Sequence, residues 1–293
     1  MLLVVIVCAI IWHIRKIDNA KNSVVSEINI DDRNVNLDSS FDNEREIITI
    51  YDIEDGYMDV KFNKKADLHN YDFQKYLTKE NGRYRYEDDT YTSKVGIDVS
   101  SYQGVIDWRK VKEDGIDFAI LRLGFRGYGD AGNIVLDSKF EQNYNNAKKE
   151  GIDVGIYFFS QAINISEVKE EFEFILEHIK NKEITYPIYF DLEKIKNDTA
   201  RTDNLTLDEI TNMTVEFCNL VKNSGYIPGV YGNSKTFTTR LKLEEINEFS
   251  KWYADYLDIP MYPYEFSMWQ YTEKGKVNGI TTDTDINILF IKK

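Results

Sequence analysis

The sequence predicts an α/β protein whose main body is a (β/α) barrel of TIM type, somewhat irregular, preceded by an N-terminal apolar anchor and a polar linker with a small appendage. Three observations carry this expectation. From Val95 onward, short apolar runs bounded by turn residues recur through the rest of the chain. Amphipathic helical patterns lie between several of them, and repeated β–α units with about eight strands argue for a closed parallel barrel over an open sheet. At 293 residues the chain can hold one such barrel of about 250 residues with something added. The expected boundaries are residues 1–16 for the anchor, 17–94 for the linker and appendage, and 95–293 for the barrel.

The run from Leu2 to Trp12 is apolar and is followed by His13-Ile14-Arg15-Lys16, which makes it a candidate membrane anchor. It falls short of the roughly 20 residues that a spanning helix needs, so a signal peptide or an apolar strand are alternatives. Arg15, Lys16 and Lys21 on its C-terminal side would place the body in the cytoplasm by the positive-inside tendency. Asp31-Asp32-Arg33-Asn34 and the stretch from Asp38 to Glu46 read as solvated linker. Residues 46–62 alternate enough for a short strand pair, and Tyr71 to Tyr91 reads as a small aromatic wrapper.

Within the barrel the expected strands are 95–99, 117–123, 153–159, 184–191, 226–231, 251–256, 265–271 and about 285–291. Asp137 precedes a helix with Phe140, Tyr144 and Ala147 on one face, stopped by Gly151. A second helix spans about 166–181, where Val168, Phe172, Ile175 and Ile179 recur at helical spacing. Thr206-Leu207-Asp208-Glu209 reads as a capping box opening a third, which Gly225 ends.

Composition removes several classes of function. Asp and Glu number 50 against 36 Lys and Arg, a net charge of −14, which argues against a nucleic-acid partner because phosphate binding needs a basic stripe. Only His13, His69 and His178 are present, so a zinc site or a Ser-His-Asp triad has almost no material. Cys8 and Cys218 do not make a disulfide framework. Neither a metal nor a cofactor is expected, and the protein is expected to work as a monomer.

The most informative residues are Phe190-Asp191-Leu192-Glu193, which end a run that reads as a buried strand. Side chains at i and i+2 of a strand share a face, with Cα atoms roughly 6.6–6.8 Å apart. Asp191 and Glu193 therefore face the same way at a strand mouth, where one acid can stay charged while the other keeps a proton. For an isolated D-x-E the plainer reading is the start of a solvated loop. Here Asp98 ends the first strand and Asp285 lies at the last, which closure of a barrel makes neighbours. Chemistry in such barrels sits at the C-terminal strand ends. Clustered carboxylates raise at least one pKa above the ordinary Glu value of about 4.3, as a proton donor near neutral pH requires. Tyr157, Phe159, Tyr231, Trp252, Tyr256, Trp269 and Tyr271 fall near the same strand ends, either as core packing or as walls of a saccharide cleft.

An ordered series of blocks extends this pattern: Gly96-Ile97-Asp98-Val99-Ser100 with Gln103-Gly104, Phe118-Ala119-Ile120-Leu121-Arg122, Gly155-Ile156-Tyr157-Phe158-Phe159-Ser160, Asp191 with Glu193, Tyr231-Gly232-Asn233, Met268-Trp269-Gln270-Tyr271, and Asp285 with Asn287. In that order they resemble glycoside hydrolase family 25, the muramidases that cut peptidoglycan glycan strands, from Val95 to Phe290. The family often has an aromatic between the two acids, where this chain has Leu192. The resemblance implies hydrolysis, with retention, of the β-1,4 bond between N-acetylmuramic acid and N-acetylglucosamine. It implies Glu193 as proton donor, with Asp191 orienting the 2-acetamido group or stabilising charge at the anomeric carbon. Asp98 and Asp285 would hold the sugar and tune Glu193. Gln103, Tyr157, Phe159, Tyr231, Trp252, Trp269 and Gln270 are the expected substrate contacts. Two acids spaced i, i+2 are awkward for attack from opposite faces of a sugar, which favours a substrate-assisted route. The partner implied is the peptidoglycan glycan strand, met on the cell-wall side of a bacterial membrane by an anchored or secreted enzyme. A non-catalytic glycan-binding barrel and a chitinase-like glycosidase are the competing readings.

Overall fold

The computed structural model describes residues 46–196 and 198–293, so the candidate anchor at 1–16 and the acidic stretch before Glu46 lie outside the described residues. Among the described residues no helix is long and apolar enough to cross a membrane.

The described residues open with two hairpins. β1 (Ile47–Asp52) pairs antiparallel with β2 (Gly56–Lys61). A single helical turn, α1 (Phe73–Tyr76), then leads into β3 (Leu77–Glu80) and its antiparallel partner β4 (Arg83–Tyr86). The barrel strands follow: β5 (Tyr91–Val99), β6 (Phe118–Arg126), β8 (Asp153–Phe159), β9 (Ile188–Asp191), β10 (Pro228–Asn233), β11 (Ser250–Ala254), β12 (Met268–Gly275) and β13 (Thr284–Lys292). They are hydrogen-bonded in the order β5-β13-β12-β11-β10-β9-β8-β6, and pairing of β5 with β6 closes the ring. A short β7 (Ile134–Leu136) adds antiparallel to the end of β6.

The barrel departs from an all-parallel TIM plan at β13. This strand runs antiparallel to both of its neighbours. The cause is chain length. Only residues 276–283 separate β12 from β13, and a parallel return needs a crossover of about a dozen residues or more. The outer helices are also sparse. α2 (Trp108–Glu113), α3 (Phe140–Lys149), α4 (Ile165–Ile179) and α5 (Leu207–Asn223) follow the earlier strands, whereas short π- and 3₁₀-helical turns at Thr236–Arg240 and Leu243–Ile246 follow β10.

The expected helix signals form as read, with Thr206 and Glu209 making a reciprocal capping box at the start of α5. α4 and α5 bury the apolar stripes Val168/Phe172/Ile175/Ile179 and Ile210/Met213/Phe217/Val221. The helix-poor side of the barrel is covered by the segment before it. Tyr71 stacks on Phe290 with ring centroids 4.2 Å apart, and Tyr84 lies 5.1 Å from Trp269. The Tyr71 hydroxyl donates to the Phe266 carbonyl at 2.8 Å. Phe73, Tyr84 and Tyr86 thus share one core with the outward faces of β12 and β13. These rings do what outer helices do elsewhere.

Inside the ring, strand alternation sends the opposite set of residues inward. Phe118, Ile120, Tyr189, Trp252, Met268 and Leu289 fill the lower half. Room for those rings comes from glycines on adjacent strands. A Cβ on Gly96 would lie 2.3 Å from the Phe118 ring, and one on Gly229 2.3 Å from the Tyr189 ring. The plug forms the floor of the site described next.

Candidate active site

One register higher, the inward positions become polar. Asp98 on β5 faces Asp285 on β13 as a direct cross-strand pair, and their carboxyl groups hydrogen-bond. The other donors to Asp98 come from amides. Gln270 Nε2 and Asn287 Nδ2 both donate to Asp98 Oδ2, at 3.0 and 2.9 Å. Each amide is itself oriented. Tyr231 and Tyr256 hydroxyls donate to Gln270 Oε1 at 3.0 and 3.1 Å, and Trp252 Nε1 donates to Asn287 Oδ1 at 2.8 Å. A chain of donors therefore converges on one buried carboxylate.

Burial raises Asp98, while the Asn287, Gln270 and Asp285 hydrogen bonds oppose that rise. Among the described residues Asp285 receives no comparable amides. Burial and then the Asp98 charge push it up to about 9, so Asp285 holds the shared proton. A carboxyl raised on folding stabilises the fold fully below its unfolded value and loses that contribution as pH climbs through its folded value. For Asp285 the window runs from 3.8 to about 9. Asp285→Asn, which can still donate to Asp98, is therefore expected to melt higher than the parent near pH 8 and about equally near pH 4, by calorimetry. A stability difference independent of pH would mean that Asp285 does not carry that proton.

Asp191, the last residue of β9, is buried beside this pair, and among the described residues its Oδ1 has no hydrogen-bond partner. Burial, Glu193 and Asp98 push it well above the carboxylate range, and Arg122 acts in the opposite sense. An orphaned buried oxygen in a ring of satisfied ones is a place for an incoming donor. Glu193 is half-buried, two residues past Asp191, with Leu192 turned into the outer core between them. Burial first, then Glu54, raise Glu193 to about 7, against the pull of Lys196 and Arg240. Its backbone is held on both sides: Gln161 Nε2 donates to the Glu193 carbonyl at 3.0 Å and Arg240 Nη1 to the Leu192 carbonyl at 3.3 Å.

The structure thus gathers Asp98, Asp191, Glu193 and Asp285 at the C-terminal mouth of the barrel. It places Tyr157, Tyr231 and Trp252 beside them, with Trp252 4.6 Å from Tyr231 and 5.9 Å from Tyr157 between ring centroids. Burial among the acids keeps the Tyr157 and Tyr231 hydroxyls neutral by pushing both well above the ordinary tyrosine range. Phe159 is the strand partner of Asp191 at the rim, and Gln270 is a hub of the network. One expected contact points outward, and another is engaged within the loop that follows β5. Trp269 neighbours Gln270 on one strand, so alternation turns it outward, where Nε1 donates to the Asp255 carbonyl at 2.6 Å beneath Tyr84. Gln103 closes a capping box, with Oε1 accepting from the Ser100 amide at 2.9 Å.

Asn287, Arg122, Gln161, Arg240 and Glu54 were not among the expected site residues. Strand parity with Asp285 could have flagged Asn287, and parity with Ile120 could have flagged Arg122. Arg122 pairs with the buried Asp137 at 2.7 Å and lies over Tyr102, 5.0 Å from its ring centre. The other three come from connections between strands. Beyond Tyr256 a cavity of about 440 Å³ lies between the β3–β4 and β12–β13 turns, walled by Tyr84 and Tyr271. Lys79, Arg83, Lys274 and Lys276 line it, each paired with an acid. Among the described residues no cluster of His, Cys, Asp or Glu is arranged to hold a metal ion.

The sequence profile of glycosyl hydrolases family 25 matches residues 97–280, more than half of the chain. Over 193 residues the chain is 24% identical to a protein named autolytic lysozyme from Clostridium acetobutylicum, covering 66% of this chain and 54% of that one. In three dimensions it resembles the modular autolysin LytC of Streptococcus pneumoniae, solved with a synthetic peptidoglycan ligand, with a TM-score of 0.62 and 24% identity. That likeness covers 80% of this chain and 56% of LytC, so the chain spans about half the length of either relative. A family 25 glycosyl hydrolase from Bacillus anthracis matches with a TM-score of 0.58 and 22% identity, over 72% of this chain and 94% of that one.

Proposed function

Since the chain belongs to glycosyl hydrolases family 25, we propose that it hydrolyses peptidoglycan as an N-acetylmuramidase. The bond is the β-1,4 link from N-acetylmuramic acid to N-acetylglucosamine, cut with retention on the outer side of a bacterial membrane. The substrate's own acetamido group serves as the nucleophile. The observation that carries this reading is the buried Asp191 Oδ1 beside Glu193, which has no hydrogen-bond partner among the described residues. A bound sugar with a 2-acetamido group brings an N–H donor, which is the missing partner.

In the first step the acetamido carbonyl oxygen attacks the anomeric carbon. The glycosidic oxygen leaves with the proton of Glu193, and a bicyclic oxazolinium remains, its N–H held by Asp191. Water then gives a proton back to Glu193 and its oxygen to the anomeric carbon, which reopens the acetamido group. Two displacements at one carbon give net retention. Glu193 at about 7 is suited to both halves, since a donor and acceptor of protons works best with a pKa near the ambient pH. Asp98, whose ionised form Gln270 and Asn287 favour by donating to it, supplies negative potential toward the oxocarbenium-like transition state. The neutral hydroxyls of Tyr157 and Tyr231 and the Trp252 ring form the floor on which the sugar rests. The names of the two relatives, an autolytic lysozyme and an autolysin solved with a peptidoglycan ligand, agree with this substrate.

Mass spectrometry of fragments from a digested wall tests the reading. Every new reducing end should be N-acetylmuramic acid, first released as the β-anomer. Reducing N-acetylglucosamine ends, or binding to the wall without any release, would replace it with a glucosaminidase or a non-catalytic glycan-binding barrel respectively.

A further inference from the structure

The β1–β2 hairpin lies outside the family-matched stretch, yet its turn is fastened to the catalytic rim. Asp52 is buried, and its Oδ1 accepts from the amides of Glu54 and Asp55 at 2.9 and 3.2 Å. Its Oδ2 accepts from the Lys235 amide at 2.8 Å, just past the end of β10. Ser234 Oγ donates to the Tyr51 carbonyl at 2.5 Å, and Lys235 Nζ pairs with Asp55. The turn is thus clamped from both sides, and one side chain on it, Glu54, is aimed at the cleft. Glu54 lines a narrow crevice of about 20 Å³ together with Glu193, Asn233, Thr236 and Arg240. Its Oε1 lies 3.2 Å from the Nζ of Lys196, on the loop that leaves Glu193.

We propose that Glu54 is a positioning residue of the hydrolytic site, supplying a fixed negative charge from outside the barrel that keeps the proton on Glu193. The inference rests on the muramidase reading for its purpose, though not for its measurement. The titratable and charged groups facing Glu193 are Glu54 from the hairpin, Lys196 from its own loop, Asp98 from β5, Asp191 from β9, the protonated Asp285 from β13 and Arg240 from the π-helical turn. Of these, Glu54 is the largest contributor after burial that favours the proton, and Lys196 is the largest that opposes it. The two are paired with each other, so the state of Glu193 depends on a balance struck between the appendage and the catalytic loop. Asp98 and Asp285 already hold their own proton between them, which leaves Glu54 as the adjustable charge.

The decisive experiment compares opposite substitutions at this pair. A general acid loses activity as pH rises through its pKa. Glu54→Gln removes a negative charge and frees Lys196, so the alkaline limb of the kcat/KM profile should move down by about half a pH unit or more. Lys196→Met should move it up, and Glu54→Asp should restore most of the parent profile. On the acid plateau kcat should stay within about twofold of the parent for all three, because proton transfer itself is untouched. The same shifts should appear in the ¹³C resonance of the Glu193 carboxyl in the ligand-free protein. Limbs that stay in place, that move the same way in both charge variants, or activity lost equally at every pH would overturn the proposal. If the parent cuts no wall, the muramidase reading fails while the ¹³C titration still decides the role of Glu54.

Discussion

Replacing Glu193 with glutamine is expected to lower turnover of purified cell walls by about 10²–10⁴-fold, the range that a positioned general acid contributes. The melting temperature should barely move. The local fold is held through backbone carbonyls, by Gln161 on residue 193 and Arg240 on residue 192, and neither bond needs the Glu193 carboxyl. Glutamine keeps the shape, fills the same space and removes a carboxyl that burial and Glu54 already disfavour as an ion. Reducing-end release and thermal melting, measured on one preparation, separate chemistry from folding. Clearing of walls at near-parent rates by Glu193→Gln would take the proton donor away from this residue.

Loss of Asp191 should be nearly as severe, and the substrate can report how it acts. Asp191→Asn is expected to cost about 10²–10³-fold in kcat, as removal of one preorganised electrostatic partner does. Asparagine still fits the strand end, but it cannot take up the negative charge that a cationic oxazolinium beside it would favour. The parent should suffer a comparable loss on walls whose glycan has been chemically de-N-acetylated. Combining the two changes should cost little more than either one, because both remove the same interaction. Losses that multiply would show that Asp191 works independently of the acetamido group, and would point instead to a covalent glycosyl-enzyme intermediate.

Much of this site is legible in the amino-acid sequence, and the reason is the two-residue period of strands. Asp191 and Glu193 share a face by spacing alone, and Asp98 and Asp285 become neighbours once the barrel closes. The same rule, applied more strictly, excludes Trp269, since it cannot face inward beside an inward Gln270. The reversed direction of β13 is also written in the short stretch 276–283, which leaves no room for a crossover. What sequence periodicity does not carry is the placement of loop residues. Gln161, Arg240 and Glu54 reach Glu193 from three separate connections, and their meeting depends on tertiary packing. The appendage is equally opaque. Tyr84 and Tyr86 keep the two-residue period of β4, but Tyr71 lies in no helix or strand, and what all four rings pack against, Phe266, Trp269 and Phe290, is set by tertiary packing.

That aromatic covering sets where the protein can be cut. A fragment trimmed to residues 97–280 would discard β13, and with it Asp285, Asn287 and the seam that closes the ring. It would also lay bare Phe266, Trp269 and Tyr271 as a sticky apolar flank on an unsealed sheet, an invitation to self-association. Recombinant work on the hydrolase therefore has to carry both the preceding hairpins and β13, because solubility depends on the first and a closed ring on the second.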